Sequence, residues 1–347
     1  MTNQGLVYTV RDRSILLPLY KRYVVEPTLR LVPEHVDPNL ITHAGHLVNL
    51  AGITLLIAFG GEIARGTRWP LLVALACLQV YNWCDNADGA HARRTGRCSA
   101  LGELLDHGLD MLNTTYIAFA AAIALGAPPL WWTAMAVVVP AACATTYWEQ
   151  AETGLFSLGL LNQVESVMVL SLIMAATAAF GPGVWDRLHV GPVTLRVVLM
   201  GFTCVQATLG ILHNVWRVAR RKNVRALLRV LPLFAFDVAV LVAAFTGALA
   251  PIAAVVVATA GNVFFGLRSL AVRTAGELPR REPGVVVAAV IVAATVVWHV
   301  TGHRVGYAVD VTACVLASAF FGVLAVANAR DARREVLRID ASVPRRA

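Results

Sequence analysis

Five acidic residues, Asp85, Asp88, Glu103, Asp106 and Asp110, fall within 26 positions of a chain that is otherwise short of acids. Asp85 and Asp88 are three apart, and Gly102, Asp106 and Asp110 follow at intervals of four, so each set projects from one stripe of its own helix. Two such helices joined by a short basic loop can bring four aspartates to one point. Carboxylates that close repel one another unless a cation holds them together. Hard oxygen donors suit Mg²⁺ or Mn²⁺ and not zinc or copper, and magnesium completes its shell with substrate phosphate. The spacing therefore predicts a phosphate or pyrophosphate substrate. Gly89, Ala92 and Gly102 leave room for a bulky ligand beside the backbone, and Arg93 is placed to pair with phosphate oxygens. Ion pairing of the acids with Arg93, Arg94 and Arg97 at a membrane boundary would account for one or two of them, but not for four with glycines on the same stripes.

The elements that must position these residues are membrane helices. Of the 347 residues 58% are apolar and 14% charged, where soluble proteins carry roughly 25% charged residues. Mean hydropathy is +0.66. Apolar blocks near the length needed to cross a bilayer recur at 40–59, 71–84, 104–125, 130–147, 160–180, 193–215, 227–249, 252–267, 285–300 and 307–327. The expected fold is thus all-α and polytopic, with about ten transmembrane helices and no internal repeat. The net charge of +8 raises the question of nucleic acid, but the basic residues lie between apolar blocks and read as topology determinants. With a cytoplasmic amino terminus, 24 of the 29 Lys and Arg residues fall on the cytoplasmic side, which predicts cytoplasmic termini and a cytoplasmic active site. Residues 13–31 alternate apolar and basic side chains at helical spacing, as in an amphipathic helix lying on the membrane surface. The chain divides into an arm (1–38), a transmembrane domain (39–328) and a basic tail (329–347). The first forty residues hold no continuous apolar core, so no cleavable signal is expected. Six scattered cysteines without a CxxC give no basis for zinc or a disulfide framework.

The series Asp85-x2-Asp88-Gly89-x2-Ala92-Arg93-x8-Gly102-x3-Asp106-x3-Asp110 resembles the complete signature of the CDP-alcohol phosphotransferase family. Its filling, Gly102-Glu103-Leu104-x-Asp106-His107-Gly108-x-Asp110, is similar to the choline/ethanolamine phosphotransferase branch, which is also ten-spanning. Two weaker patches agree, Pro38 to Thr42 and Trp148-Glu149-x3-Thr153-Gly154, with one departure: Tyr147 stands where the branch commonly has His. The resemblance implies that Asp85, Asp88 and Asp106 bind divalent metals, two ions of Mg²⁺ or Mn²⁺, with Asp110 adding to the cluster and acting as general base. It implies that Asp85, Gly89, Ala92, Arg93 and Gly102 line the CDP pocket. The expected partners are a CDP-alcohol donor and a lipid acceptor such as diacylglycerol, with the chain a homodimer. Two other readings stay open: a phosphatidyltransferase that uses CDP-diacylglycerol as donor to a small alcohol or sugar phosphate, and, from another class, an ion-coupled transporter, for which intramembrane acids are equally normal.

Further residues are candidates for accessory roles. His107 forms a second stripe with Glu103 and is expected to orient its neighbours. Asn39 and Thr42 stand at the start of the first span. Tyr81, Trp83, Tyr147 and Trp148, with Glu149 and Glu152, could line a site for an amino-alcohol head group, although aromatics near an interface often serve as membrane anchors. Glu165 is expected to face the same cavity. Asp237 stands deep in its span without an obvious partner, Asn214 reads as a helix cap or an interhelical bond, and Asp310 is expected in solvent.

Overall fold

The structure, a computed structural model, describes residues 9–11, 13–157, 159, 162–274, 282–302 and the single positions 310, 312, 314, 319, 321 and 322. Most of the expected tenth span and the basic tail lie outside the described residues.

After strand β1 (Thr9–Arg11) the arm is helical through α1 (Leu16–Tyr20), one π-helical turn (Lys21–Val25) and α2 (Glu26–Leu29). Ile15, Leu19 and Tyr23 point outward, while Val25 and Leu29 are buried against Ala87. The first long helix, α3 (Pro38–Ala58), starts where the Asp37 side chain accepts the Asn39 N–H and Pro38 sets the first turn. It is followed by α4 (Gly60–Ala64), α5 (Trp69–Thr95), α6 (Ala100–Ala124), α7 (Pro129–Thr153), strand β2 (Leu155–Ser157) and α8 (Gln163–Phe180). Next come α9 (Val184–Arg187), the hairpin of β3 (His189–Val190) and β4 (Val193–Thr194), then α10 (Leu195–Arg221), α11 (Val224–Thr246), α12 (Pro251–Thr274) and α13 (Pro283–Val300). Gly96, with φ +68°, ends α5 in the left-handed conformation, and Ser99 accepts the Gly102 N–H to start α6.

Nine expected spans coincide with long helices. Seven of these, α3, α7, α8 and α10 to α13, are long and apolar enough to cross a membrane, which makes the chain a helical, polytopic membrane protein. Helices α5 and α6, of 27 and 25 residues, are as long but carry the charges of the motif. The expected span 71–84 is too short at its end: α5 runs on to Thr95, so Asp85 and Asp88 share the helix of the apolar segment before them.

Contacts divide the described chain into two compact units. Of the described residues, one holds those within 11–127 and 157–201, the other residues 9 and 10, 128–156 and those described from 202 onward. In the first, α3 packs on α5 and α6, and α8 packs on the same two helices. A Cβ on Gly45 would lie 2.5 Å from the Cys84 Cβ, so α3 and α5 touch nearly backbone to backbone one residue before Asp85. In the second, α12 packs along α7, and α11 lies against α7, α12 and α13 around Trp148, Leu233, Phe236 and Phe264.

Candidate active site

Helices α5 and α6 bring Asp85, Asp106 and Asp110 together: one carboxylate oxygen of each lies within 4.8 Å of the others. Each acid comes from the predicted stripe of its helix. Asp88 is close but does not join this group as expected. Its Oδ2 accepts the Thr42 hydroxyl at 2.5 Å and its Oδ1 accepts the Gly89 N–H at 2.5 Å, so α3 and its own helix hold it aside. Asp106 Oδ1 is buried and has no hydrogen-bond partner among the described residues. An unmatched buried acceptor among three converging carboxylates suits a divalent cation, whose charge would offset both their repulsion and the missing donor. The residues present therefore fit the metal that the motif implies. Among the described residues no motif aspartate pairs with Arg93, Arg94 or Arg97. Arg94 and Arg97 instead donate to backbone carbonyls of the arm, Arg94 to Leu29 and Val32 at 2.7 and 2.6 Å, and Arg97 to Val36 at 3.2 Å.

The glycines stand beside the acids on the same helices. A Cβ on Gly102 would meet Asn39 Oδ1 and Ser99 Oγ, both at 3.2 Å, and one on Gly89 would meet the Arg93 guanidinium at 3.4 Å. Arg93 is exposed and Ala92 is half-buried. His107 Nδ1 lies 3.9 Å from Asp106 Oδ2 and 3.9 Å from Asp110 Oδ2, between the last two acids.

A layer behind Asp110 was not read from the sequence as such. Tyr81, one turn before Asp85 and 1% exposed, donates its hydroxyl to Asp110 Oδ1 at 2.9 Å, with Asp85 Oδ1 at 3.3 Å. Gln163, in the first turn of α8, donates to the Tyr81 oxygen at 2.6 Å. His46 of α3 sets its ring edge-on to Tyr81 at 5.0 Å, and its buried Nε2 faces Asp110 Oδ1 at 3.7 Å. One turn deeper, Asn49 Nδ2 donates to Asn113 Oδ1. Asn39, Thr42, His46 and Asn49 recur at helical spacing through an apolar span. That polar stripe is the signal that could have found His46. Gln163 has none, because its role depends on how α8 meets α5.

Other expected site residues have different work. Glu165 completes a capping box with Asn162 and accepts from Ser14 Oγ and the Ile15 and Leu16 N–H groups at 2.6 to 2.9 Å; it fixes the arm instead of facing the aspartates. Trp83 donates to Thr28. In the second unit Trp148 is buried in the core, Glu149 pairs with Arg217 at 2.5 Å, and Arg229 grips Glu152 with two bonds of 2.6 and 2.5 Å. Tyr147 stacks on Phe156. Asn214 makes an interhelical bond to Thr145 and Thr146. Asp237 has a partner after all, Asn262 at 2.7 Å. Asp310, expected in solvent, instead accepts the Ala250 N–H at 3.0 Å.

Residues 35–209, half of the chain, match the family model for CDP-alcohol phosphatidyltransferase. Cholinephosphotransferase 1 of Mus musculus is 30% identical over 218 residues, 60% of this chain and 54% of that protein. The Homo sapiens protein of the same name is 31% identical over 182 residues, covering 52% and 45%. An uncharacterized CDP-alcohol phosphatidyltransferase class-I family protein 3 of Dictyostelium discoideum is 32% identical over 185 residues, covering 51% and 46%. The chain spans about half the length of these relatives.

Proposed function

Because the chain belongs to the CDP-alcohol phosphatidyltransferase family, we propose that it transfers a phospho-amino-alcohol from a CDP-alcohol to the hydroxyl of a diacylglycerol-like lipid and releases CMP. The observation that carries this reading is the convergence of Asp85, Asp106 and Asp110 within 4.8 Å around the unmatched Asp106 oxygen. The three aspartates, with Asp88 beside them, would hold one or two Mg²⁺ or Mn²⁺ ions. Bound there, a divalent cation supplies charge stabilisation to the pyrophosphate and to the departing CMP.

The chain's own residues do the rest. Arg93 binds a phosphate oxygen of the nucleotide, and Gly89, Ala92 and Gly102 let the CDP moiety approach the backbone. Asp110 takes the proton of the acceptor hydroxyl as its oxygen forms a bond to the phosphorus distal to cytidine. The bond from that phosphorus to the CMP oxygen breaks, and the electron pair leaves with CMP. His107 orients Asp106 and Asp110. The arm helix, with Ile15, Leu19 and Tyr23 outward, lies on the cytoplasmic membrane surface, both termini and the active site face the cytoplasm, and the chain works as a homodimer. For Trp148 and Glu149 the buried core position and the Arg217 pair favour a packing role over head-group contact.

The relatives named cholinephosphotransferase support a small-alcohol donor over CDP-diacylglycerol, and membership of a transferase family sets the transporter reading aside. Purified protein incubated with CDP-choline or CDP-ethanolamine plus dioleoylglycerol, and separately with CDP-diacylglycerol plus small alcohols, tests the choice. CMP is expected from the first mixtures, and CMP from the second alone would reverse donor and acceptor.

A further inference from the structure

We propose that Gln163 and Tyr81 form a one-directional hydrogen-bond chain that fixes the carboxylate of Asp110, so that Tyr81 is a positioning residue for Asp110 and Gln163 a positioning residue for Tyr81. The inference rests on the reading of Asp110 as the proton acceptor.

The direction follows from donor and acceptor capacities. Tyr81 has one hydroxyl hydrogen, and the oxygens it faces, Asp110 Oδ1 at 2.9 Å and Asp85 Oδ1 at 3.3 Å, belong to groups that only accept when ionised. The hydrogen therefore goes to a carboxylate, with Asp110 the closer. The Tyr81 oxygen is then left as an acceptor, and Gln163 fills it with an amide N–H at 2.6 Å. The chain runs from α8 through α5 to α6. Its middle member is shielded from water, since Tyr81 is 1% exposed and His46 closes one side with its ring edge, while Gln163 and Asp110 are half-buried. Tyr81 and His46 both address Oδ1 of Asp110, while His107 lies toward Oδ2. The two oxygens are equivalent, so a half-turn would restore the same contacts; a smaller rotation would pull the acceptor away from Tyr81, and the chain therefore fixes the plane of the carboxylate, with one oxygen on Tyr81 and the other toward His107.

Gln163 is the informative position, because a carboxylate there would accept instead of donate. In Gln163→Glu the single Tyr81 hydrogen is drawn away from Asp110. In Gln163→Leu the Tyr81 oxygen loses a donor but its hydrogen still reaches Asp110. Turnover is read as CMP release in Mg²⁺ with CDP-choline or CDP-ethanolamine, whichever the wild type uses, and dioleoylglycerol. Tyr81→Phe and Gln163→Glu are expected to lose kcat by about ten- to hundredfold, the scale of one hydrogen bond to a charged group, with KM for the CDP-alcohol within about threefold of wild type. Gln163→Leu should lose much less. Adding Gln163→Glu to Tyr81→Phe should cost nothing further. Losses that add would show the effect of Gln163→Glu to be charge repulsion and would overturn the proposal, as would an unchanged kcat in Tyr81→Phe or equal losses in both Gln163 variants. If no CDP-alcohol yields CMP from the wild type, the proposed reaction fails on its own. The chain is then judged by Mn²⁺ binding in electron paramagnetic resonance, where Tyr81→Phe and Gln163→Glu should weaken binding alike without adding; additive weakening, or none, would overturn it.

Discussion

At the scale of the residue, the aspartates differ in what surrounds them, and their variants should differ accordingly. Asp85 and Asp106 converge with Asp110, and Asp106 holds the unmatched oxygen, so Asp85→Asn and Asp106→Asn should weaken both Mn²⁺ and nucleotide binding as well as turnover. Calorimetric titration with a CDP-alcohol in Mg²⁺ checks the nucleotide, and electron paramagnetic resonance of added Mn²⁺ checks the metal. Asp110 is placed by donors behind it, and Asp110→Asn should reduce turnover by roughly 10²-fold or more, the scale of general-base effects, while leaving CDP binding comparatively intact. If binding and turnover fall together, Asp110 is chiefly a metal ligand. Asp88 is held by Thr42. Removing that hydroxyl in Thr42→Val should therefore impair Mn²⁺ binding less than Asp88→Asn does, a comparison that a Mn²⁺ titration followed by electron paramagnetic resonance reads directly.

At the scale of the element, the site exists because α3, α5, α6 and α8 meet closely. Gly45 is where α3 touches α5, and a Cβ there would collide with Cys84. Gly45→Val should part the helices beside Asp85, lowering both the melting temperature in detergent and CMP release. In the other unit, Glu149 is fully buried and pairs with Arg217, whose side chain is largely buried. Glu149→Ala leaves that guanidinium uncompensated, and the loss should be about 3–5 kcal/mol, the usual cost of breaking a buried pair. A Glu149→Ala, Arg217→Met double variant should recover part of it in the same thermal melt. Much of the architecture was legible in the sequence, because an apolar block of membrane length and an aspartate repeat of three or four are local patterns. The stripes of α5 and α6 and the spacing of Asp85, Asp106 and Asp110 were read that way. Partners were not. Asp88 binds Thr42, Glu165 holds the arm, Asp237 meets Asn262, and Gln163 reaches Tyr81 from 82 positions away. Each of these depends on which helices become neighbours, and hydropathy carries no record of that.

At the scale of the whole molecule, the described chain has seven membrane-length apolar helices, and among such helices the acids of the site would be unfavourable in hydrocarbon without a cation and a polar ligand. Placing 24 of the 29 basic residues on one side predicts that cysteines introduced near either terminus are labelled by a membrane-impermeant reagent only from the cytoplasmic side. Labelling from outside would invert the topology. The proposed reaction is metal-dependent transfer of a phospho-alcohol to a lipid hydroxyl at this aspartate cluster. Its most direct test follows both products, CMP and the phosphorus-labelled lipid, from protein in proteoliposomes given labelled CDP-choline or CDP-ethanolamine and dioleoylglycerol, with Mg²⁺ and then with excess EDTA. CMP and labelled phospholipid are expected in equal amounts with Mg²⁺, and neither in EDTA nor with Asp106→Asn; undiminished turnover in EDTA, or CMP without label in the lipid, would rule this reaction out.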